Sequence, residues 1–342
     1  MFKQFSPWLN LAFLAASALA VWWAGTRLAR HADELARKTG LGRAVLGLLL
    51  LGGMTSLPEL AVAVTATLGG APLLTINDVL GSAAINVVIL ALADAVYGRS
   101  ALTATPTNPQ VLLQGSLSAT LLALIPAAVL VGDVALLGLG AWSWALLAAY
   151  GLATWIVSKA KNMHSWVPDP QGPRHDEPPE PGEPRSSRAR LLARIGSMGA
   201  VILAAGFVLA QSAEAIAQQS GLGHSFVGAV LLGLCTSLPE VSTVIAAVRM
   251  GRYEMAIGDV FGTNLFNVTI LVLVDALHPG PPVLPAAGAF AAFAALLALL
   301  LTLLFLIGAI ERRDRTVWRM GVDSLAALAL YAAGLMVLYQ LR

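Results

Sequence analysis

The chain has 342 residues, of which 57% are hydrophobic and only 12% are charged, and its formal net charge at pH 7 is +2. Soluble proteins carry about twice this share of charged residues, so the composition excludes an ordinary water-soluble fold and indicates a protein of the lipid bilayer. The single cysteine, Cys235, excludes an intramolecular disulfide.

Apolar segments long enough to cross a bilayer recur along the whole chain. One crossing as a helix needs about 20 predominantly apolar residues. We therefore predict an all-α membrane protein with ten transmembrane helices, at 8–27, 44–68, 71–96, 109–131, 135–157, 196–216, 225–248, 254–277, 285–310 and 320–340. The first segment lacks a convincing small-residue cleavage site and has a counterpart later in the chain, so we interpret it as a membrane helix and not as a signal peptide.

The basic residues are distributed unevenly between the two faces of the predicted bundle. If the N-terminus lies outside, 19 of the 21 lysines and arginines fall in the inner loops, and Lys3 and Arg342 are the two that lie outside. Cytoplasmic loops of membrane proteins carry such an excess. With no organelle signal in the sequence, we expect a prokaryotic cytoplasmic membrane, with both termini outside.

A polar segment divides the chain into two halves. Residues 159–195 are rich in proline and in charges of both signs, a composition typical of a flexible linker. We predict a first membrane repeat at 1–158, a cytoplasmic linker at 159–195 and a second membrane repeat at 196–342. The linker is interpreted as a tether, with a regulatory loop as the alternative.

The two halves are copies of one unit. A shift of 181 residues aligns GLGRAVLGLLLLGGMTSLPEL with GLGHSFVGAVLLGLCTSLPEV without a gap. The same shift pairs Asp33 with Glu214, Pro58 with Pro239, Asp78 with Asp259, Gly81 with Gly262, Asn86 with Asn267 and Asp94 with Asp275. Five spans per half is an odd number, so the repeats must insert with opposite orientations. Inverted repeats are typical of secondary transporters, whose sites lie near the midplane.

The second and seventh predicted spans each carry the segment TSLPE, at Thr55–Glu59 and Thr236–Glu240. A carboxylate deep in a membrane helix is costly and is usually functional. Pro58 and Pro239 each remove a backbone donor, which frees a carbonyl one turn earlier.

The TSLPE side chains and these carbonyls predict an all-oxygen ion site, with four hydroxyls near the two carboxylates: Thr55, Ser56, Thr236 and Ser237. Calcium favours six to eight such ligands, and sodium accepts the same donors. The charge of two glutamates matches one calcium or two monovalent ions, which is the physical basis of exchange.

A second polar stripe follows in the third and eighth spans. Asp78, Ser82 and Asn86 share one helix face, as do their mirror residues Asp259, Thr263 and Asn267. Ion contact and hydrogen bonding between helices are both open for the hydroxyl and amide side chains. Asp78 and Asp259 either line an access path or cap a helix. We expect Asp33 and Glu214 to be interfacial or gating groups, Asp94 and Asp275 to lie near span ends, and Gly81 and Gly262 to allow close backbone approach.

At these residues the sequence resembles the sodium/calcium exchanger branch of the calcium/cation antiporter superfamily. The resemblance covers both repeats, in GGMTSLPELAVAVTATLGG with INDVLGSAAINVVIL and in GLCTSLPEVSTVIAAVRMG with IGDVFGTNLFNVTIL. It implies that Glu59 and Glu240 are the central calcium and sodium ligands, surrounded by Thr55, Ser56, Thr236, Ser237, Ser82, Asn86 and Thr263. It also implies alternating access by sliding of the first and sixth helices past a core of the other eight.

Some positions depart from the family pattern and leave the coupling ion open. Many prokaryotic members have an acidic residue where Asn267 stands, and the usual GN reads Asn77-Asp78 and Gly258-Asp259. The usual GSN becomes Gly81-Ser82-Ala83 in the first half.

The function predicted is calcium/sodium antiport without a cofactor, and the nearest alternative is a calcium or other divalent cation/proton antiporter on the same fold. A cation channel is a remote alternative, because deep paired carboxylates favour saturable binding. An enzyme is disfavoured, because all five histidines lie in loops or at span ends, away from Ser56 and Ser237. The expected partners are the transported ions and the bilayer, with no nucleic acid and no protein partner.

Overall fold

The computed structural model describes residues 2–39, 43–98, 101–105, 108–160, 187–219 and 232–341. The helices of the first half are α1 (Pro7–Thr39), α2 (Arg43–Leu46), α3 (Gly52–Thr55), α4 (Leu57–Leu68), α5 (Pro72–Tyr97), α6 (Pro109–Val131) and α7 (Ala141–Lys159). A π-helical turn (Gly47–Leu51) joins α2 to α3, and short 3-10 turns lie at Phe2–Gln4 and Leu102–Ala104. Strands β1 (Ala135–Leu136) and β2 (Leu139–Gly140) form an antiparallel hairpin before α7.

The second half repeats this order from helix to hairpin. Its helices are α8 (Arg188–Gln219), α9 (Gly233–Thr236), α10 (Leu238–Arg249), α11 (Tyr253–Leu277), α12 (Gly288–Glu311) and α13 (Val322–Gln340), with a 3-10 turn at Leu284–Ala287. Strands β3 (Thr316–Val317) and β4 (Met320–Gly321) pair Thr316 with Gly321 in front of α13, as β1 and β2 pair Ala135 with Gly140 in front of α7.

Eight helices in the described residues are long and apolar enough to cross a membrane, and they coincide with eight of the predicted spans. The bent pair Gly47–Thr55 and Leu57–Leu68, with 45° between its parts, makes a ninth if it counts as one span. The predicted seventh span at 225–248 is described from Leu232 onward. The all-α membrane fold is therefore confirmed, whereas a count of ten rests on residues outside the described ranges.

The ends of several spans differ from the predicted ones. Helix α1 continues to Thr39 and α8 begins at Arg188, because charged residues with good helix propensity extend a helix into water beyond the hydrocarbon. Helix α8 thus begins inside the range 159–195 predicted as linker, of which residues 161–186 lie outside the described part of the chain. The predicted spans at 135–157 and 320–340 both begin in hairpins, and their helices start at Ala141 and Val322.

Burial divides the helices into a centre and a periphery. The apolar windows of α5 and α11 are 83% and 72% buried, whereas those of α1 and α8 are each 28% buried and those of α7 and α13 are each 22% buried. Helices α5 and α11 therefore form the centre of the bundle. Helices α1 and α8 pack against each other and leave most of their surface for lipid.

Two buried aspartates join each half to the hairpin of the other. Asp94, near the end of α5, accepts a hydrogen bond from the Gly321 amide at 2.6 Å. Asp275, near the end of α11, accepts from the Gly140 amide at 2.7 Å and from the Ser143 hydroxyl at 2.8 Å. Both aspartates lie near span ends, as predicted, and they fasten the two halves together at symmetric positions.

Candidate ion-binding site

Each half contains a helix that breaks at the serine of its TSLPE segment. Ser56 separates α3 from α4 with φ −77° and ψ 4°, and Ser237 separates α9 from α10 with φ −80° and ψ 4°. A proline inside a helix removes a hydrogen bond and crowds the preceding turn, so Pro58 and Pro239 explain the two breaks. The structure thus places both predicted helix-break prolines directly after equivalent helix breaks.

Glu59 and Glu240 lie in the first turn of the helix that follows each break. The first turn of a helix carries unpaired amides and a partial positive charge, which stabilise an anion. Both side chains are fully buried, with 0% exposure, and each feels the charge of the other. One carboxylate from each repeat therefore meets its counterpart in the interior of the bundle.

Threonine and serine hydroxyls connect the repeats beside these glutamates. The hydroxyl oxygens of Thr55 and Thr263 lie 3.2 Å apart, and the mirror pair of Ser82 and Thr236 is also separated by 3.2 Å. All four side chains are fully buried. The broken helix of each half is thus in contact with the central helix of the other, and the structure brings these four predicted site residues together.

The amide side chains break the symmetry of the site. The Ser56 hydroxyl donates to the Asn267 side-chain oxygen at 3.0 Å. In the mirror position Asn86 instead donates to the Asn264 side-chain oxygen at 3.0 Å, and Asn264 donates to the backbone carbonyl of Ala83 at 3.1 Å. Because the repeat shift pairs Ala83 with Asn264, this amide exists in one half alone and draws Asn86 towards itself.

Several buried polar atoms of the site have no hydrogen-bond partner among the described residues. These atoms are both carboxylate oxygens of Glu59 and of Glu240, the Ser237 hydroxyl, the Asn86 side-chain oxygen and the Asn267 side-chain nitrogen. A buried carboxylate without a donor or a cation is costly. The oxygens among these atoms are therefore suited to contact a cation that has lost its water.

The acidic side chains do not form a metal cage by themselves. Within the described ranges, no group of three or more histidine, cysteine, aspartate or glutamate side chains is placed to hold a metal ion. Hydroxyl, amide and backbone oxygens must therefore complete the coordination of any cation held between Glu59 and Glu240. This mixture of hard oxygen donors fits an alkali or alkaline-earth cation.

Asp78 and Asp259 add two further carboxylates to the centre, and both are fully buried. Asp78 accepts a hydrogen bond from the Thr236 hydroxyl at 3.2 Å, and Asp259 accepts one from the Thr243 hydroxyl. Each of these aspartates also feels the charge of Glu240. They lie within α5 and α11, after the first turn, so the predicted alternative of a helix cap is wrong.

Glycines allow the broken helices to approach the central helices closely. A Cβ atom added to Gly52 would lie 2.6 Å from the Thr263 backbone nitrogen, and one added to Gly262 would lie 2.5 Å from Leu48 Cα. The close approach predicted for Gly262 is therefore present. In the other half, Gly233 faces Gly81, the second glycine of the prediction. A Cβ atom added to Gly233 would lie 3.5 Å from the carbonyl carbon of Gly81.

A cluster of opposite charges lies where α1 meets the core. The Asp33 carboxylate is 3.1 Å from Arg43 Nε and 3.0 Å from Arg252 Nε, and Arg37 Nε approaches it at 3.6 Å. Asp33 is 5% exposed, so it joins α1 to the starts of two core helices. The equivalent residue, Glu214, accepts a hydrogen bond from Gln218 at 2.9 Å on its own helix.

Two residues of the site escaped the sequence analysis. Asn264 belongs to the segment GTN, whose counterpart in the first half reads GSA, so its amide could be found as a departure from the repeat. Thr243 carries no such signal, because a threonine on α10 bonds Asp259 only after two helices have packed.

Buried carboxylates at two symmetric helix breaks, inside a membrane-spanning helical bundle, define a secondary transporter of cations. The chain matches the family model described as "Sodium/calcium exchanger protein" over residues 9–159 and 191–340. It therefore belongs to the sodium/calcium exchanger protein family, and the resemblance seen in the sequence is confirmed. Members of this family are membrane antiporters of cations.

Individual relatives support this assignment at different levels. Inner membrane protein YrbG of Escherichia coli strain K12 is 26% identical over 269 residues, which cover 79% of this chain and 80% of that protein. Sodium/calcium exchanger MaX1 of Methanosarcina acetivorans is 28% identical over 81 residues, which cover 24% of this chain and 23% of its own. The solved structure of the sodium-calcium exchanger NCX_Mj has a TM-score of 0.70 over 97% of this chain and 99% of its own, at 16% identity, and so shares the fold.

Proposed function

We propose that the protein is a secondary antiporter that exchanges calcium for sodium across the membrane at the site between its repeats. The observation that carries the proposal is the pair of fully buried carboxylates of Glu59 and Glu240, whose oxygens make no hydrogen bond of normal geometry with the described residues. The Thr236 hydroxyl is close to Glu59 and the Thr55 hydroxyl to Glu240. Two carboxylates supply a charge of −2, which one calcium ion neutralises. Sodium ions neutralise the same charge, so either cargo can occupy the site in turn.

The oxygen donors around the glutamates fit this cargo. Calcium takes six to eight oxygen ligands in irregular geometry. The proposed ligands are the two carboxylates together with the neighbouring hydroxyl and amide oxygens of Thr55, Ser56, Thr236, Ser237, Ser82, Asn86, Thr263 and Asn267, all of which are at most 1% exposed. Asn267 contributes a neutral oxygen, so it adds no charge to the site.

Alternating access requires one part of the bundle to move past the site. We propose that α1 and α8 move together, since they pack against each other and expose most of their surface to lipid. A Cβ atom added to Gly25 on α1 would overlap the Ser242 hydroxyl of α10, so α1 lies directly against the turn that follows Glu240. The ion pairs of Asp33 with Arg43 and Arg252 would close one face of this boundary until α1 moves.

The proposed setting is a prokaryotic cytoplasmic membrane with both termini outside. The excess of basic residues on one face supports this orientation. YrbG, which is named as an inner membrane protein, supports the same membrane.

Ion-driven uptake into vesicles tests the function directly. The full-length protein is reconstituted into liposomes loaded with sodium chloride, which are diluted into sodium-free buffer containing calcium-45. We expect accumulation of calcium that requires internal sodium and ceases when an ionophore dissipates the sodium gradient. Calcium uptake that requires a proton gradient and ignores sodium would replace sodium by protons as the coupling ion. No calcium uptake under either gradient would refute the calcium assignment.

The second candidate function is exchange of a divalent cation for protons. The buried carboxylates of Asp78 and Asp259 are the observation that favours it. One oxygen of each carboxylate has no hydrogen-bond partner among the described residues, and the neighbouring charge of Glu240 is negative. Buried carboxylates crowded by like charge either bind a cation or take up a proton. Two such groups beside the glutamates therefore supply a possible route for proton coupling.

Replacing both aspartates by asparagine separates the two candidates. We expect the double variant Asp78→Asn, Asp259→Asn to lose any proton-driven calcium uptake and to keep sodium-driven uptake, because asparagine preserves the hydroxyl contacts but cannot exchange a proton. Calcium-45 uptake under imposed sodium or pH gradients measures both activities in the same vesicles. Undiminished proton-driven uptake in this variant would exclude these aspartates as the proton carriers.

A further inference from the structure

A cleft of about 240 Å³ lies between α1 and α10, and its lining includes none of the proposed ion ligands. Its lining includes Trp22, Thr26 and Arg30 from α1, and Ser242, Arg249 and Met250 from α10 and its C-terminal end. We propose that this cleft binds the headgroup of an anionic phospholipid. The proposal does not depend on which ions the protein exchanges, because it concerns the membrane that surrounds the bundle.

The basic end of the cleft lies at the depth of the headgroup region of a bilayer. Arg249 is nine positions after Glu240 along α10, which is a rise of about 14 Å at roughly 1.5 Å per residue. Half the hydrocarbon thickness is about 15 Å. With Glu240 near the midplane, Arg249 therefore reaches the edge of the hydrocarbon. Arg30, which follows the predicted first span at 8–27, lines the same cleft.

The charge of the cleft favours an anion. Arg30 and Arg249 are exposed, and the described residues provide no ion pair for either one, in contrast to the arginines that surround Asp33. His31 beside the cleft has further positive neighbours in Arg194, Arg27 and Arg30. Glu34 is the acidic neighbour of His31, and it is paired with Lys38 at 3.0 Å, so the arginines leave the region with an excess of positive charge.

The chemistry of the lining selects a lipid phosphate over a soluble anion. Arginine binds phosphate oxygens through two parallel N–H donors, and arginines on two helices can hold one phosphodiester from both sides. Trp22 is 38% exposed and lies eight residues before Arg30 on α1, about 12 Å deeper at roughly 1.5 Å per residue, where its ring can contact an acyl chain. The apolar side chains of Ile245 and Met250 also line the cleft and can contact the glycerol and upper acyl chains. Basic pockets between membrane helices bind anionic headgroups in this way.

Binding of a tail-labelled phosphatidylglycerol to the purified full-length protein in neutral detergent tests the proposal. We expect the double variant Arg30→Gln, Arg249→Gln to raise the dissociation constant at least about tenfold, since each basic residue near an anionic lipid contributes appreciably. The matched control is Lys159→Gln, Arg190→Gln, which removes two exposed charges outside the cleft. Because all four side chains are exposed, we expect both double variants to keep the elution profile of the native protein.

Three outcomes would overturn the proposal. An unchanged dissociation constant in the Arg30→Gln, Arg249→Gln variant would show that the lipid binds elsewhere. An equal loss in the control variant would reduce the binding to general attraction by a basic surface. Displacement of the labelled lipid by glycerol 1-phosphate alone, at the concentration of the lipid, would identify a site for soluble phosphate and not for a membrane lipid.

Discussion

Replacing Glu59 or Glu240 by glutamine is expected to abolish calcium uptake. Glutamine has nearly the same shape and keeps one oxygen, but it removes a unit of negative charge from a fully buried site. Loss of one partner from a buried pair of opposite charges, here a glutamate and the bound calcium ion, costs roughly 3 kcal/mol, which corresponds to a decrease of about 100-fold in ion affinity. Sodium-driven uptake of calcium-45 in liposomes measures the loss, and equilibrium binding of calcium-45 to purified protein measures the affinity.

The control for this prediction is Glu311→Gln, which removes the same charge at the surface. Glu311 pairs with Arg313 at 3.7 Å, and both side chains are at least half exposed, so we expect uptake close to that of the native protein. Glu59 and Glu240 hold equivalent positions in the two repeats, so both glutamine variants are expected to lose calcium uptake. Full uptake in either Glu59→Gln or Glu240→Gln would remove that residue from the ion site.

Replacing Gly52 by alanine is expected to abolish transport by a different route. The added Cβ atom would lie 2.6 Å from the Thr263 backbone nitrogen and 2.7 Å from the Gly262 carbonyl carbon. Backbone atoms of two packed helices cannot yield as a flexible side chain can, and overpacking of this kind costs about 1–3 kcal/mol or more. The helices must separate beside Thr55, which would break its contact with Thr263. We expect little or no calcium uptake and a lower melting temperature in detergent.

The adjacent glycine provides a matched control. Gly53 is in the same helix turn, and a Cβ atom added to it would meet no atom within 4 Å. Gly53→Ala is therefore expected to retain uptake and to match or exceed the native melting temperature, because alanine favours helix over glycine by about 1 kcal/mol. Equal calcium uptake and equal melting temperatures in Gly52→Ala and Gly53→Ala would show that transport does not depend on the close contact between Gly52 and α11.

The sequence predicted the fold well because its strongest signals are local or repeated. A gapless shift of 181 residues joins the two TSLPE segments, and the hydropathy of single helices located eight of the predicted spans. Span ends were harder to predict. The hairpins Ala135–Gly140 and Thr316–Gly321 adjoin apolar helices, and hydropathy does not distinguish an apolar turn from the first turn of a helix.

The contacts of the site depend on tertiary structure and could be predicted only in part. The glutamates and hydroxyls follow from the motif, whereas the bond from Ser56 to Asn267 joins residues 211 positions apart. The roles of Asp94 and Asp275 were also out of reach, since each aspartate bonds the hairpin of the opposite repeat. Sequence symmetry identified these residues as pairs but could not show what each of them contacts.

The position of the ion is the central claim, and it can be measured directly. Crystals grown in calcium without sodium are exposed to X-rays at a long wavelength, and an anomalous difference map locates the calcium. We predict one strong peak between the repeats, at about 2.3–2.6 Å from carboxylate oxygens of both Glu59 and Glu240. A peak bound away from both glutamates, or none at a calcium concentration that saturates transport, would contradict the account.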